Sequence, residues 1–192
     1  MEHLITCIDL CYESYFDQNC VKVDDLYYTK TTRNGTTYIA IRGTDNNKNV
    51  ARDLRVFPSK TPKGFLGHKG FISAFKVLQD HFKDLGDNVV FTGHSLGGAI
   101  AVLLGEAFDK PVVSFGCPRV YFKFFKGPSL NHYRVICDDD PVPMIPKLLY
   151  KHLEAPSLIL HDNDGGIDIK DHNINVYKNR VYAYTNNYKI AA

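Results

Sequence analysis

The tightest constraint on this chain is the stretch VVFTGHSLGGAIAVLLGEAF, residues 89–108. An apolar, β-branched run leads into Gly93-His94-Ser95-Leu96-Gly97, and small and aliphatic residues that favour a helix come next. A strand that enters and a helix that leaves across so few residues force a sharp turn. Its central residue then sits in a strained backbone conformation with the side chain thrust outward. Gly93 and Gly97 suit that turn because a Cβ at either position would strike the neighbouring strand or helix. Gly98, Ala99 and Ala101 let the helix lie close on a sheet. Gly-x-Ser-x-Gly arises by chance in roughly a tenth of chains this long, so the strand before it and the helix after it carry the specificity. A serine that merely caps a helix needs neither the flanking glycines nor the adjacent histidine. Ser95 therefore reads as a nucleophile.

The rest of the chain repeats the alternation. Strands are expected at 88–92, 111–116 and 132–137 around a helix at 96–108, with a further extended run, YKHLEAPSLIL, afterwards. Short apolar strands alternating with helices predict a mostly parallel sheet covered on both faces. Leu4, Ile8, Cys11 and Tyr15 predict a helix over 2–16, and Phe71, Phe75, Leu78 and Phe82 a surface helix over 70–84. Asn34-Gly35 marks a hairpin that adds antiparallel strands, so the sheet should be mixed. The tail from residue 171 reads as a loop or short helix with a polar end. The fold class is α/β, and 192 residues at 44% hydrophobic are enough for one core and short for two, so residues 1–192 read as one domain.

With 23 basic against 21 acidic residues, the net charge of +2 gives no electrostatic case for nucleic acid. No apolar run approaches the roughly 20 residues of a membrane-spanning helix. The opening MEHLITCIDLCYESYF lacks a basic region followed by an uninterrupted apolar stretch, so no signal peptide is evident and a cytoplasmic location is expected. The five cysteines (Cys7, Cys11, Cys20, Cys117, Cys137) are an odd number without a C-x-x-C pair. They indicate neither zinc nor a disulfide framework and read as structural thiols in a reducing compartment.

A serine hydroxyl needs a base to take its proton and an acid to orient that base, delivered on this architecture in the order Ser, Asp or Glu, His. Four histidines lie downstream of Ser95. His132 and His152 fall in strands and read as structural. His172, in KDHNINVY, lies beyond the last expected strand, where a base must hang from a loop to reach the serine; it ranks first, and His161, beside the polar turn HDNDGG, second. The acid must come from the end of strand 132–137, where Asp138, Asp139 and Asp140 stand together. Two of them read as a solvated turn, and the residues alone do not choose the third. Pro141, Pro143 and Pro146 stiffen the chain immediately beyond these aspartates.

Taken in order, YIAIRGT, HKGFISAF, VVFTGHSLGGAIA, VSFGCPRV, DPVPMIP, YKH and DHNINVY resemble the class 3, fungal-type lipases and their esterase and phospholipase relatives, over about residues 38–177. The resemblance implies a compact α/β-hydrolase fold and a triad of Ser95, Asp140 and His172. It implies an oxyanion hole formed by Thr44, through its N–H and hydroxyl, and by the N–H of Leu96. No metal or organic cofactor is needed, and the partner is a small-molecule or lipid ester. Arg42, Arg119 and His68 match family positions and read as loop-holding residues; His94 reads as packing. Two rival readings are a lipase-like binding protein without activity, and an acyltransferase or phospholipase A1 using the same site.

In these relatives the segment after the Arg-Gly-Ser/Thr element covers the site and opens onto lipid. Here it is DNNKNVARDLRVF, residues 45–57, whose few apolar residues lie among asparagines and charges; the chain has no tryptophan. Surface binding scales with buried apolar area, so this segment is too thin to grip oil strongly. Turnover of soluble short-to-medium-chain esters should saturate without a jump at the substrate's solubility limit. A sharp jump there, removed by Leu54→Ser or Phe57→Ser, would contradict this.

Overall fold

The computed structural model describes residues 2–43, 57–161 and 166–191. Its first helix, α1 (Glu2–Phe16), is followed by β1 (Val21–Val23), β2 (Leu26–Arg33) and β3 (Thr36–Ile41). Asn34 and Gly35 both take positive φ (49° and 74°) between β2 and β3, the pairing that matches a two-residue hairpin turn to the strands' twist. Two short strands, β4 (Pro58–Lys60) and β5 (Leu66–His68), lead into α2 (Lys69–Leu78), which tightens into a 3₁₀ turn at Gln79–Phe82. Then come β6 (Val89–His94), α3 (Leu96–Phe108), β7 (Val112–Phe115), β8 (Tyr121–Phe122), β9 (His132–Cys137), β10 (Tyr150–Lys151), β11 (Ser157–Leu160) and α4 (Ile174–Ala191).

Seven strands form the main sheet in the order β1-β2-β3-β6-β7-β9-β11. From β3 to β11 every pair is parallel, while β1 and β2 add an antiparallel edge. This is the mixed, mostly parallel α/β sheet expected. Helices α2 and α3 pack on one face through Phe71, Phe75, Leu78, Ile100 and Leu104 against Ile39, Ile41 and Phe91. On the other face, α1 and α4 bury Ile8, Cys11, Tyr177 and Val181 against Tyr38, Phe115 and Val135. Among the described residues no helix is long and apolar enough to cross a membrane.

Three expectations change. The tail, expected as a loop or short helix with a polar end, is an 18-residue helix. Ile174, Tyr177, Val181 and Thr185 recur at helical spacing and are buried, but asparagines, aromatics and β-branched residues of modest helix propensity surround them. Packing, rather than propensity, makes this helix. The run YKHLEAPSLIL, taken as one extended piece, breaks at Glu154-Ala155-Pro156 into β10 and β11, which belong to different sheets. A second sheet, in the order β10-β8-β5-β4, also escaped notice, because strands of two or three residues are too short to show a period.

That small sheet is tied to α3 by one carboxylate. Glu106, 1% exposed, accepts from the Thr61 hydroxyl (2.6 Å) and the Lys63 N–H (2.9 Å) on Oε1, and from the Tyr121 hydroxyl (2.8 Å) on Oε2. Glu106→Ala would strand those three donors; at roughly 1–3 kcal/mol for each buried group left unpaired, the expected loss is about 3 kcal/mol or more. Glu106→Gln keeps both oxygen and amide within reach of the same partners and should cost clearly less. Equal denaturation midpoints for Glu106→Ala and the parent would contradict this account.

Candidate active site

Ser95 stands where β6 gives way to α3, with φ 57° and ψ −128°. Its side chain makes no capping bond to the helix. The turn closes this tightly because of what is missing: a Cβ on Gly93 would overlap the Gly97 backbone, and one on Gly97 the backbone of Ile41 at the end of β3. The Ser95 N–H donates to the Phe115 carbonyl (3.0 Å), which fixes the turn against the neighbouring strand. The hydroxyl is thereby aimed away from α3 at the carboxyl end of the sheet, with the helix N-terminus and its unpaired amides beside it.

The structure brings Ser95, His172 and Asp140 into one hydrogen-bonded chain. Ser95 Oγ lies 2.7 Å from His172 Nε2, and His172 Nδ1 lies 2.7 Å from Asp140 Oδ2. Ser95 is 1% exposed, and Asp140 and His172 are 0% exposed. An Nδ1–H donating to the carboxylate leaves Nε2 as the acceptor for the serine proton, the tautomer a base requires. Asp140 sits just past the end of β9, where its Oδ1 accepts from the Val142 N–H (2.8 Å) and its Oδ2 from the Tyr177 hydroxyl (2.7 Å) as well as from His172. His172 comes from a 3₁₀ turn, Ile169–His172, at the entrance to α4. Such a chain can move a proton from a hydroxyl to an imidazole while the carboxylate holds the ring.

Two residues of this arrangement were not singled out in the sequence. Tyr177 both donates to Asp140 and accepts from the Cys137 N–H (3.2 Å); burial and the Asp140 charge push its phenol well above its usual range. Its signal was its place in the 174-177-181 stripe. Gly116, at φ 55°, faces the same cluster: a Cβ there would lie 3.0 Å from the His172 ring and 3.1 Å from Asp140 Oδ2. His94 does more than fill space. Its ring lies 4.6 Å from that of His172, and Nδ1 pairs with the Tyr15 hydroxyl (2.8 Å). Burial, then the nearby His172, hold it well below the ordinary histidine range and therefore neutral.

The remaining candidates separate by partner. His161 pairs with Asp138 (2.7 Å) on an exposed edge instead of approaching Ser95. Asp139 is not a solvated turn residue: it is 7% exposed and held two-pronged by Arg180 (2.6 and 2.8 Å), whose bonds keep its carboxyl below the usual range. His132 is buried and His152 half-buried; both are neutral, lowered to about 3 and about 4 chiefly by loss of hydration. His152 bonds the Pro143 carbonyl (2.7 Å), and Arg119 the Lys147 carbonyl (3.3 Å). His68 caps α2 and stacks on Phe71, while the Arg42 guanidinium lies over Tyr15 and Tyr27. Leu96 opens α3, where its N–H has no intrahelical acceptor. Thr44 and the segment 45–56 lie outside the described residues. The chain still runs beside the site at Gly43, where a Cβ would lie 3.2 Å from that of Ser95.

A family model described as Lipase (class 3) matches residues 38–150. The secreted mono- and diacylglycerol lipase 1 of Fusarium solani is 30% identical over 163 residues, covering 73% of this chain and 47% of that protein. A lipase of Rhizomucor miehei is 28% identical over 145 residues, covering 62% and 40%. The chain thus spans about half the length of the curated relatives it matches. Among solved structures, the propeptide complex of Rhizomucor miehei lipase aligns with TM-score 0.67 at 23% identity, covering 85% of this chain and 70% of that one. The lipase of Rhizopus microsporus var. chinensis aligns with TM-score 0.64 at 22% identity, covering 83% and 73%. These two show the α/β-hydrolase fold. The cytoplasmic expectation does not stand: a relative that is by name secreted points to secretion instead.

Tyr177→Phe tests the support beneath the carboxylate. It removes one donor to Asp140 and strands the buried Cys137 N–H, so stability should fall by about 1–3 kcal/mol in denaturant melts. A melt superimposing on the parent's would show that these bonds are dispensable.

Proposed function

The chain belongs to the class 3 lipase family, and from that premise we propose that it is a serine carboxylic-ester hydrolase acting on lipid esters through an acyl-enzyme. The observation that carries the reading is the pair of 2.7 Å contacts linking Ser95, His172 and Asp140, with Ser95 held at positive φ and making no capping bond to the helix. In this reading His172 Nε2 takes the Ser95 proton as Oγ attacks the ester carbonyl, and the carbonyl π pair moves onto oxygen. The N–H groups of Leu96 and Thr44, with the Thr44 hydroxyl, receive that charge. Collapse breaks the bond to the alcohol oxygen, which leaves with the proton from His172. Water then repeats the attack on the acyl-serine, frees the acid and returns the proton to Ser95. Asp140 holds the imidazole and stabilises its charged form without taking the proton.

The relative that acts on mono- and diacylglycerols supports partial acylglycerols as the first substrates to try. One sheet that runs from β1 to β11, with helices on both faces, supports reading residues 1–192 as a single domain.

Ser95→Ala, His172→Ala and Asp140→Ala should each leave the fold intact and lower kcat on p-nitrophenyl and glyceride esters; Asp140→Ala should also melt earlier than the parent, because it strands the donors at Val142 and Tyr177. Loss of serine or histidine should cost on the order of 10⁶-fold, with double variants little worse than singles because the residues act as a unit. Should His161→Ala abolish turnover while His172→Ala does not, the assignment of the base is wrong.

A further inference from the structure

The basic aromatic stretch YFKFFKG, residues 121–127, has no part in the chemistry above. Strand β8 pairs antiparallel with β10, Phe122 opposite Tyr150. The turn that leaves β8 and the turn that enters β10 therefore emerge at the same end of the pair. The Lys123 N–H donates to the Leu149 carbonyl (2.8 Å) and binds the two turns together. Beneath them Phe122 is a half-buried base, its ring 5.5 Å from Phe124, 5.9 Å from Phe125 and 5.8 Å from Tyr150.

The outer side is unusual for a soluble surface. Phe124 is 66% exposed, Phe125 54%, Leu148 79% and Leu149 42%, four large apolar side chains on two adjoining turns. Lys123, Lys126 and Lys147 lie at the surface among them, and Lys151 comes next on β10. No Asp or Glu occurs between Lys110 and Cys137, or between Pro141 and Leu153, in a chain whose net charge is only +2. Among the described residues the lysine ion pairs fall elsewhere, at Lys63, Lys83, Lys110, Lys170 and Lys178. Positive charge is thus collected around a fixed aromatic platform, with no carboxylate paired to it among the described residues.

We propose that these two turns dock the protein on an anionic lipid surface. Phe124, Phe125, Leu148 and Leu149 enter the boundary between head groups and acyl chains, and Lys123, Lys126, Lys147 and Lys151 lie against the lipid phosphates and carboxylates. The patch is small, so burial of its apolar side chains does not suffice alone, and the charges supply the rest. The Phe125 ring is already stacked on Phe122 and the Phe124 ring already packs edge-on against it, so little side-chain freedom is lost on docking. The proposal is independent of the hydrolytic reading, because none of these side chains belongs to the triad.

The test uses the full chain carrying Ser95→Ala, so that no substrate turns over. It is sedimented with vesicles of phosphatidylcholine alone or mixed with phosphatidylserine. Binding should be at least about tenfold tighter to the mixed vesicles and should weaken with salt. Lys123→Gln with Lys126→Gln should weaken it roughly 25-fold, about fivefold for each charge removed near the surface. Phe124→Ser with Phe125→Ser should weaken it on both kinds of vesicle. Both pairs of changes, placed in the chain with Ser95 intact, should leave soluble-ester turnover and the thermal melt unchanged. Equal binding to neutral and anionic vesicles, no binding to either, or indifference to both pairs of changes would overturn the proposal. So would a dimer in sedimentation velocity that Phe124→Ser and Phe125→Ser dissolve, which would assign the patch to self-association. If vesicles are bound but the unmutated chain turns over no ester, the hydrolytic reading fails and this one stands.

Discussion

The positive-φ backbone of Ser95 is the constraint on which the rest of the candidate site depends. A non-glycine residue held there costs on the order of 1–3 kcal/mol, and the surroundings must over-determine it. They do so from three sides. Strand β6 is locked in register between β3 and β7. Helix α3 lies so close that Gly93 and Gly97 leave no room for a Cβ and Gly98 only a tight fit. The Ser95 amide is bonded to β7 through Phe115. The strain is thereby carried by the centre of the sheet, its most buried part, and the hydroxyl emerges where loops from the other strands can reach it.

The second constraint is the C-terminal helix, which holds Asp140 and His172 together. Helix α4 continues directly from the turn bearing His172, and it sends Tyr177 to Asp140 and Arg180 to both Asp139 and Asp171. Three successive aspartates at the end of β9 are thus sorted by distant partners: Asp138 to His161, Asp139 to Arg180, and Asp140 to His172 and Tyr177. At its other edge α4 is fastened to α1 by Tyr182 and Lys178, which both meet Asp9. The imidazole of His172 is consequently positioned by a helix anchored on both sides.

This division explains how much was legible in advance. The turn around Ser95 could be read from the chain because its demands are local: two glycines, a strand before and a helix after. The hairpin at Asn34-Gly35 was legible for the same reason. The choice among Asp138, Asp139 and Asp140 was not, since it is made by residues 23 to 41 positions away; resemblance to a family, rather than residue physics, singled out Asp140. The length of helix α4 was not legible because its stabilisation is tertiary, and Tyr177 was missed with it. The thiols misled in another way. Cys7, Cys11, Cys117 and Cys137 are indeed buried and free, but that does not require a reducing compartment. Burial pushes Cys7, Cys117 and Cys137 up to about 12, so they stay protonated at neutral pH. The thiolate is the species that oxidises, and buried thiols of this kind survive outside a cell.

The central claim is that the hydroxyl of Ser95 is made nucleophilic by His172. An alkyl fluorophosphonate tests it most directly, because the reagent phosphonylates only a serine whose proton a neighbouring base can remove. The intact chain, labelled and digested, should carry a single adduct on the peptide containing Ser95, and His172→Ala should abolish it while His161→Ala leaves it unchanged. An adduct on another residue, or labelling of Ser95 that survives His172→Ala, would contradict the claim.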